Sequence, residues 1–218
     1  MVASHDPASD PAAAPHAAAS SASGAGDALR RGVFPGSFNP PTRAHVAISE
    51  AARDQHCLDE LVWSVSRVAL AKEDVQRPSL EDRVDVLNEV GSRLDWLEIV
   101  VTDVQLLSDI AAGFDVIVMG ADKWHQIHDP VFYGNDPASR DASIASLPEV
   151  AIAARPPQDC PAHLLLDLPD WVGQASSTLA RTTDPGMMVP EAARFDAETG
   201  AWTDPARYEQ WRANQQRH

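Results

Sequence analysis

The chain has 218 residues, 17 of them Lys or Arg and 32 Asp or Glu, for a formal net charge of −15. That balance repels a phosphate backbone and no local basic patch offsets it, so nucleic-acid binding is not expected. No window reaches the roughly 18 apolar residues of a membrane span, and two distant cysteines, Cys57 and Cys160, without a CxxC pair or a His at metal-ligand spacing, suit a reducing, cytoplasmic setting.

Residues 1–28 are almost all Ala, Ser, Pro, Gly and Asp. With nothing large to bury after Val2, they read as a disordered tail, and they lack the basic start and apolar run of a secretory signal. One domain is expected over residues 29–190, followed by a helical extension packed on it over residues 191–218.

An apolar strand around residues 31–34 stops at Pro35-Gly36, and a helical pattern with Val46, Ile48 and Ala51 follows Pro40-Pro41. Residues 61–68 read as a second strand, rich in β-branched and aromatic side chains. Ser79, with Asp82 three residues on, opens a helix whose stripe is Leu80, Val84, Leu87 and Val90. Residues 97–101 form a third strand, 105–112 a short helix, and 114–120 a strand with no polar alternation, as a buried parallel sheet prefers. Residues 122–148 read as a long irregular loop carrying Trp124, His125, His128, Phe132 and Tyr133. His125 and His128 have no evident third ligand and are read as loop histidines. Residues 149–156 and 163–168 supply two more strands, Ser176 to Thr178 open a last core helix, and a helix covers residues 207–217. The alternation predicts an α/β fold, a Rossmann-like three-layer αβα sandwich around a mainly parallel sheet.

Phosphate binding at the first turn of such a fold needs a strand that stops, backbone that comes close to the anion, and a helix start with free amides. GVFPGSFNPPTRAH meets that need. Gly36 permits close approach, Pro40 and Pro41 stiffen the turn, Thr42 caps the helix, and His45 lies one turn on, on the same face as Thr42. ASSTLAR at residues 175–181 places three hydroxyls at another helix start with Arg181 a turn later. MGADK puts Gly120 and Asp122 at the carboxyl end of the buried strand, where open α/β sheets bind ligands.

At Gly36, Ser37, Phe38, Asn39, Pro40, Thr42 and His45 the chain resembles the HxGH nucleotidyltransferase superfamily, and Ser176, Ser177, Thr178 and Arg181 are similar to its SSTxxR signature. Ala44 stands where most bacterial members have Gly. Gly120 and Asp122 resemble the GxD motif of the nicotinate or nicotinamide mononucleotide adenylyltransferase branch, as do Ala154 to Pro156 and the MVPEAARF segment. FPGSF is nearer to the phosphopantetheine branch, and two acceptor-side signatures of the bacterial nicotinate enzymes are replaced here by VQLLSDIA and by Pro130.

The resemblance implies a nucleotidylyl transferase fold and transfer of AMP from Mg²⁺-bound ATP to nicotinate or nicotinamide mononucleotide, with release of pyrophosphate. Its alternatives are phosphopantetheine or another small phosphate as acceptor, or a non-catalytic nucleotide-binding module. It implies His45, Thr42 and Arg181 as catalytic residues. ATP would be held by Gly36, Ser37, Phe38, Asn39, His45, Gly120, Asp122, Ser176, Ser177, Thr178 and Arg181, and the acceptor by Lys72 and Trp124. No metal ligand is assigned to the protein, and a homo-oligomer is compatible with the sequence.

Overall fold

The computed structural model describes residues 29–67 and 78–217. The tail over residues 1–28, Val68 at the end of the second expected strand, and Lys72 lie outside the described residues.

Five strands form one all-parallel sheet: β1 (Arg31–Gly36), β2 (Glu60–Ser66), β3 (Leu97–Thr102), β4 (Val116–Gly120) and β5 (Glu149–Ala153), in the order β3-β2-β1-β4-β5. Helices α1 (Arg43–Gln55), α2 (Leu80–Arg93), α3 (Leu107–Ile110), α4 (Ala121–Gln126), α5 (Pro137–Ala145), α6 (Ser177–Thr182), α7 (Pro190–Thr199) and α8 (Pro205–Gln215) complete the described chain. This is the Rossmann-like αβα sandwich that the alternation predicts.

The period-2 geometry of the strands sorts their side chains into two cores. Leu61, Trp63, Val65, Val116, Val118, Ala151 and Ala153 face α1, α2 and the C-terminal helices, in the cluster that also holds Trp202 and Tyr208. Val33, Val62, Ile117, Met119 and Ile152 point the other way, toward α3 and α4. Burial of β4 on both faces explains its unbroken apolar sequence. The chain leaves β1 toward β2 on one side, and β4 returns to pair with β1 on the other. Strand order therefore reverses between β1 and β4, which opens a crevice beyond their carboxyl ends.

Two expectations change. Residues 163–168 are not a strand: Pro161 opens a 3₁₀ turn at Ala162–Leu164, and a single bridge, Ile152 to Leu165, remains. Leu166 is buried beside β5 and Leu164 and Leu168 pack partly buried against the two cores, whereas Leu165 is 37% exposed. The segment read as irregular loop contains α4, a 3₁₀ turn at Pro130–Tyr133, and α5. Asp129 and Asp136 each cap the turn or helix that the following proline begins. The C-terminal region holds α7 ahead of the expected last helix, and Trp202 and Tyr208 from it are buried in the main cluster.

Candidate active site

Between β1 and α1 the chain makes a loop whose shape is set by Phe38. Its φ of +44° is costly for a residue with a side chain, and the ring is held in place by burial. It stacks on Trp63 at 4.5 Å with an interplanar angle of 12°. The Trp63 indole is anchored in turn, donating from Nε1 to Ser49 Oγ at 2.8 Å. Gly36 is needed here for packing: a Cβ would sit 2.9 Å from the Phe38 ring.

Thr42 takes the extended N-cap conformation of α1, and His45 lies at N3. The Thr42 amide donates to His45 Nδ1 at 2.9 Å, and Thr42 Oγ1 lies 2.9 Å from the same nitrogen. An amide always donates, so Nδ1 accepts and the ring proton of neutral His45 is on Nε2. Phe34, Phe38 and Trp63 stand around the imidazole with centroids 5.1 to 6.2 Å away. Burial among these rings, helped by the positive charge of Arg155, pushes the His45 pKa down to about 4. At neutral pH the residue therefore presents an uncharged Nε2–H donor.

The depressed pKa has a thermodynamic consequence. Between about pH 6.5 and pH 4 the unfolded chain protonates this histidine and the folded chain does not, so stability is lost as pH falls through that window. We expect His45→Gln to lose about 2 kcal/mol less stability than the wild type between pH 7.5 and pH 4.5, measured by urea unfolding. Equal losses would show that His45 titrates alike in both states.

A cavity of about 260 Å³ opens over the carboxyl ends of β1, β4 and β5. Gly36, Ser37, Thr42 and His45 line it from the first loop and helix, Gly120 and Asp122 from the end of β4, and Ser176, Ser177, Thr178 and Arg181 from α6 and its cap. Residues distant in the sequence are thus brought to one place. Ser176 caps α6 by accepting from the Leu179 amide at 3.1 Å, and Ser177 Oγ donates to the Pro40 carbonyl at 2.8 Å, which ties α6 to the first loop. Arg181 donates from Nη1 to the Asn39 carbonyl and from Nη2 to Thr178 Oγ1 at 3.3 Å.

Phe38 and Asn39 lie behind the cavity wall, 1% and 2% exposed, where they shape the loop. Trp124 is outside the cavity and packs edge-on against His128 at 4.6 Å. Ala44, at the position of the usual Gly, lines the cavity and is buried.

Two arginines have a place in the site that the sequence does not assign to them, Arg155 entering there only within the Ala154 to Pro156 motif. Arg155, just past β5, lines the cavity, donates to Asp122 Oδ2 at 2.8 Å and to the Ala175 carbonyl at 2.8 Å, and joins the β4 end to the α6 cap. Its position after a parallel strand was the available signal. Arg83 is 8% exposed, donates to the Ser37 carbonyl at 3.0 Å, and has its pKa lowered by burial. A cation one turn from Leu80 and Leu87, on the apolar stripe of α2, was the clue to it.

A smaller cleft is lined by Leu106, Leu107, Ile127, Phe132 and Tyr133, with Lys123 and two glutamines at its edge. Among the described residues no three His, Cys, Asp or Glu side chains converge as a metal site, and no helix is long and apolar enough to cross a membrane.

The parallel sheet, the switch-point cavity and the cationic lining define a nucleotide-binding α/β protein of the nucleotidyltransferase type. The family model described as cytidylyltransferase-like matches residues 33–143, just over half of the chain, and the chain belongs to that family. A probable nicotinate-nucleotide adenylyltransferase of Roseobacter denitrificans is 26% identical over 204 residues, covering 82% of this chain and 95% of that protein. The enzyme of the same description from Gloeobacter violaceus is 38% identical over 58 residues, and the match spans only 28% of its length. Among solved structures, the nicotinic acid mononucleotide adenylyltransferase of Plasmodium falciparum complexed with NaAD superposes with a TM-score of 0.55 at 12% identity, over 80% of this chain and 98% of that one. At that identity the likeness concerns the fold.

Proposed function

We propose that the protein transfers AMP from Mg-ATP to the phosphate of a pyridine mononucleotide, nicotinate or nicotinamide mononucleotide, and releases pyrophosphate. The observation that carries this reading is the convergence, in one cavity, of the α1 start, the neutral His45 donor and two guanidiniums, Arg181 and Arg155, with Asp122 the single lining carboxylate among the described residues. The relatives named above support the choice of reaction and acceptor.

In this reaction an acceptor phosphate oxygen forms a bond to the α-phosphorus while the bond from that phosphorus to the bridging oxygen breaks, and pyrophosphate leaves with the electron pair. The attacking oxygen is already ionised, so no residue has to remove a proton. Positioning and charge stabilisation are the whole task. His45 Nε2–H donates to the α-phosphate as negative charge builds, and Thr42 fixes the ring that does so. Arg181 and the hydroxyls of Ser176 and Thr178 hold the leaving pyrophosphate. Asp122, oriented by Arg155, sits where a ribose hydroxyl is recognised.

Among the described residues Asp122 is the carboxylate that lines the cavity, and it is engaged by Arg155; Mg²⁺ would enter as part of the substrate, with ATP phosphates and water as its ligands. Trp124, which packs edge-on against His128, and Phe132 and Tyr133, in the cleft with Lys123, are the aromatic rings after β4 that could stack on a pyridine.

The test is pyrophosphate release from the purified protein with Mg-ATP and, separately, nicotinate mononucleotide, nicotinamide mononucleotide and 4′-phosphopantetheine. Release with a pyridine mononucleotide is expected. Release with phosphopantetheine alone would move the protein to that branch, and silence with all three despite ATP binding would point to another small phosphate as acceptor or to a binding module.

A further inference from the structure

We propose that Trp202, in the turn between α7 and α8, is a positioning residue for the nucleotide loop, acting on it through the hydrogen bond from its indole N–H to Asn39. The proposal rests on the adenylyl-transfer reading above for its activity readout, and on Mg-ATP binding independently of the acceptor.

Asn39 is 2% exposed, and its Oδ1 accepts from Trp202 Nε1 at 2.6 Å, across a sequence separation of 163 residues. Its backbone carbonyl accepts from Arg181 Nη1. One residue of the loop is therefore held at its side chain by the C-terminal turn and at its main chain by a cation lining the cavity. The next residues are held from the same direction: the Val189 amide donates to the Pro41 carbonyl at 3.2 Å, and Thr42 bridges to Met188. Thr42 is the residue whose amide sets the His45 tautomer.

The turn that carries Trp202 is itself held by hydrogen bonds to one carboxylate. The buried Asp196 carboxylate accepts from the Trp202 amide at 2.7 Å and the Thr203 amide at 3.0 Å through Oδ1, and from Thr203 Oγ1 at 2.6 Å through Oδ2. Gly200, at φ +76°, ends α7, and a Cβ there would meet the Asp204 carbonyl at 2.8 Å. A site that needed only apolar volume would take Phe or Leu. An indole buried with its N–H aimed at a loop amide supplies direction as well as volume, and that direction is transmitted to the residues flanking the cavity.

The experiment uses the full-length protein, Trp202→Phe, and Phe195→Leu as control. Phe195 packs edge-on against Trp202 at 5.9 Å, in the same aromatic group, and has no hydrogen bond to the loop among the described residues. Unfolding in urea, Mg-ATP affinity by calorimetry, and steady-state turnover are measured well below the melting temperature. We expect Trp202→Phe to lower kcat about tenfold and weaken Mg-ATP binding about fivefold, and Phe195→Leu to leave both within about twofold despite comparable destabilisation. Parallel loss in the two variants, or wild-type turnover and affinity in Trp202→Phe, would overturn the proposal. If the wild type itself turns over none of the acceptors, the functional reading fails while the ratio of Mg-ATP affinities still decides the role of Trp202.

Discussion

Replacing His45 with alanine is expected to lower kcat/KM about a thousandfold while leaving Mg-ATP affinity within a few-fold. The asymmetry follows from the state of the imidazole. Nδ1 is committed to the Thr42 amide, and burial keeps the ring uncharged, so in the ground state His45 adds no full charge to attract the nucleotide. Its contribution grows only as charge accumulates on the α-phosphate oxygens, within a cavity where a donor fixed beforehand is worth more than one recruited from water. Gln at position 45 keeps a neutral side-chain N–H donor and is expected to retain more activity than Ala. Steady-state kinetics with a pyridine mononucleotide, paired with calorimetry for Mg-ATP, separates the terms. A loss in ATP affinity as large as the loss in turnover would make His45 a ground-state binder and overturn its assignment to the transition state.

The fold was readable from the chain because its two strongest local signals agree: apolar strands that stop at Gly36 and Gly120, and the helical stripes of α1 and α2 between the first three strands. The loop before α1 was equally legible, since Gly, two prolines and a capping Thr in a row permit few alternatives. Its chemistry was read less completely. Gly36 lines the cavity, as close approach of a phosphate requires, and the absence of its side chain also makes room for the Phe38 ring. Phe38 and Asn39 were placed at the nucleotide, yet both are buried behind the loop, a distinction that depends on Trp63 and Trp202, remote in sequence.

The segment after β4 looked structureless because short helices carry little periodicity. Its punctuation was nonetheless present: Asp129-Pro130 and Asp136-Pro137 each set an N-cap ahead of an N1 proline, and Asp184-Pro185 and Asp204-Pro205 repeat the pattern. Arg155 was visible as a residue and not as a participant, because pairing with Asp122 across the mouth of the cavity is a property of strand order, which periodicity does not encode.

Arg181→Ala is expected to reduce kcat/KM about 100-fold, chiefly through a higher KM for Mg-ATP, with Arg181→Lys recovering little of it. Arg155 already has a carboxylate partner, Asp122, whereas Arg181 makes no ion pair among the described residues and hydrogen-bonds only to the Asn39 carbonyl and Thr178 Oγ1. Burial lowers its pKa, but a guanidinium remains charged at neutral pH, and a partly desolvated cation without a counter-ion is stabilised when polyphosphate arrives. That gain is realised on binding, so it differs in kind from the contribution of His45. Charge-assisted hydrogen bonds of about 1.5 to 3 kcal/mol correspond to roughly 10- to 150-fold in affinity, which sets the size of the expected loss. Lysine keeps the charge without the planar fork that reaches both the loop carbonyl and the nucleotide. Competition by free pyrophosphate is the discriminating measurement, since a residue that grips the leaving group must govern the affinity of that product. If Arg181→Ala bound pyrophosphate as tightly as the wild type, the cation would be a loop tether acting through Asn39, and the leaving-group role would pass to Arg155.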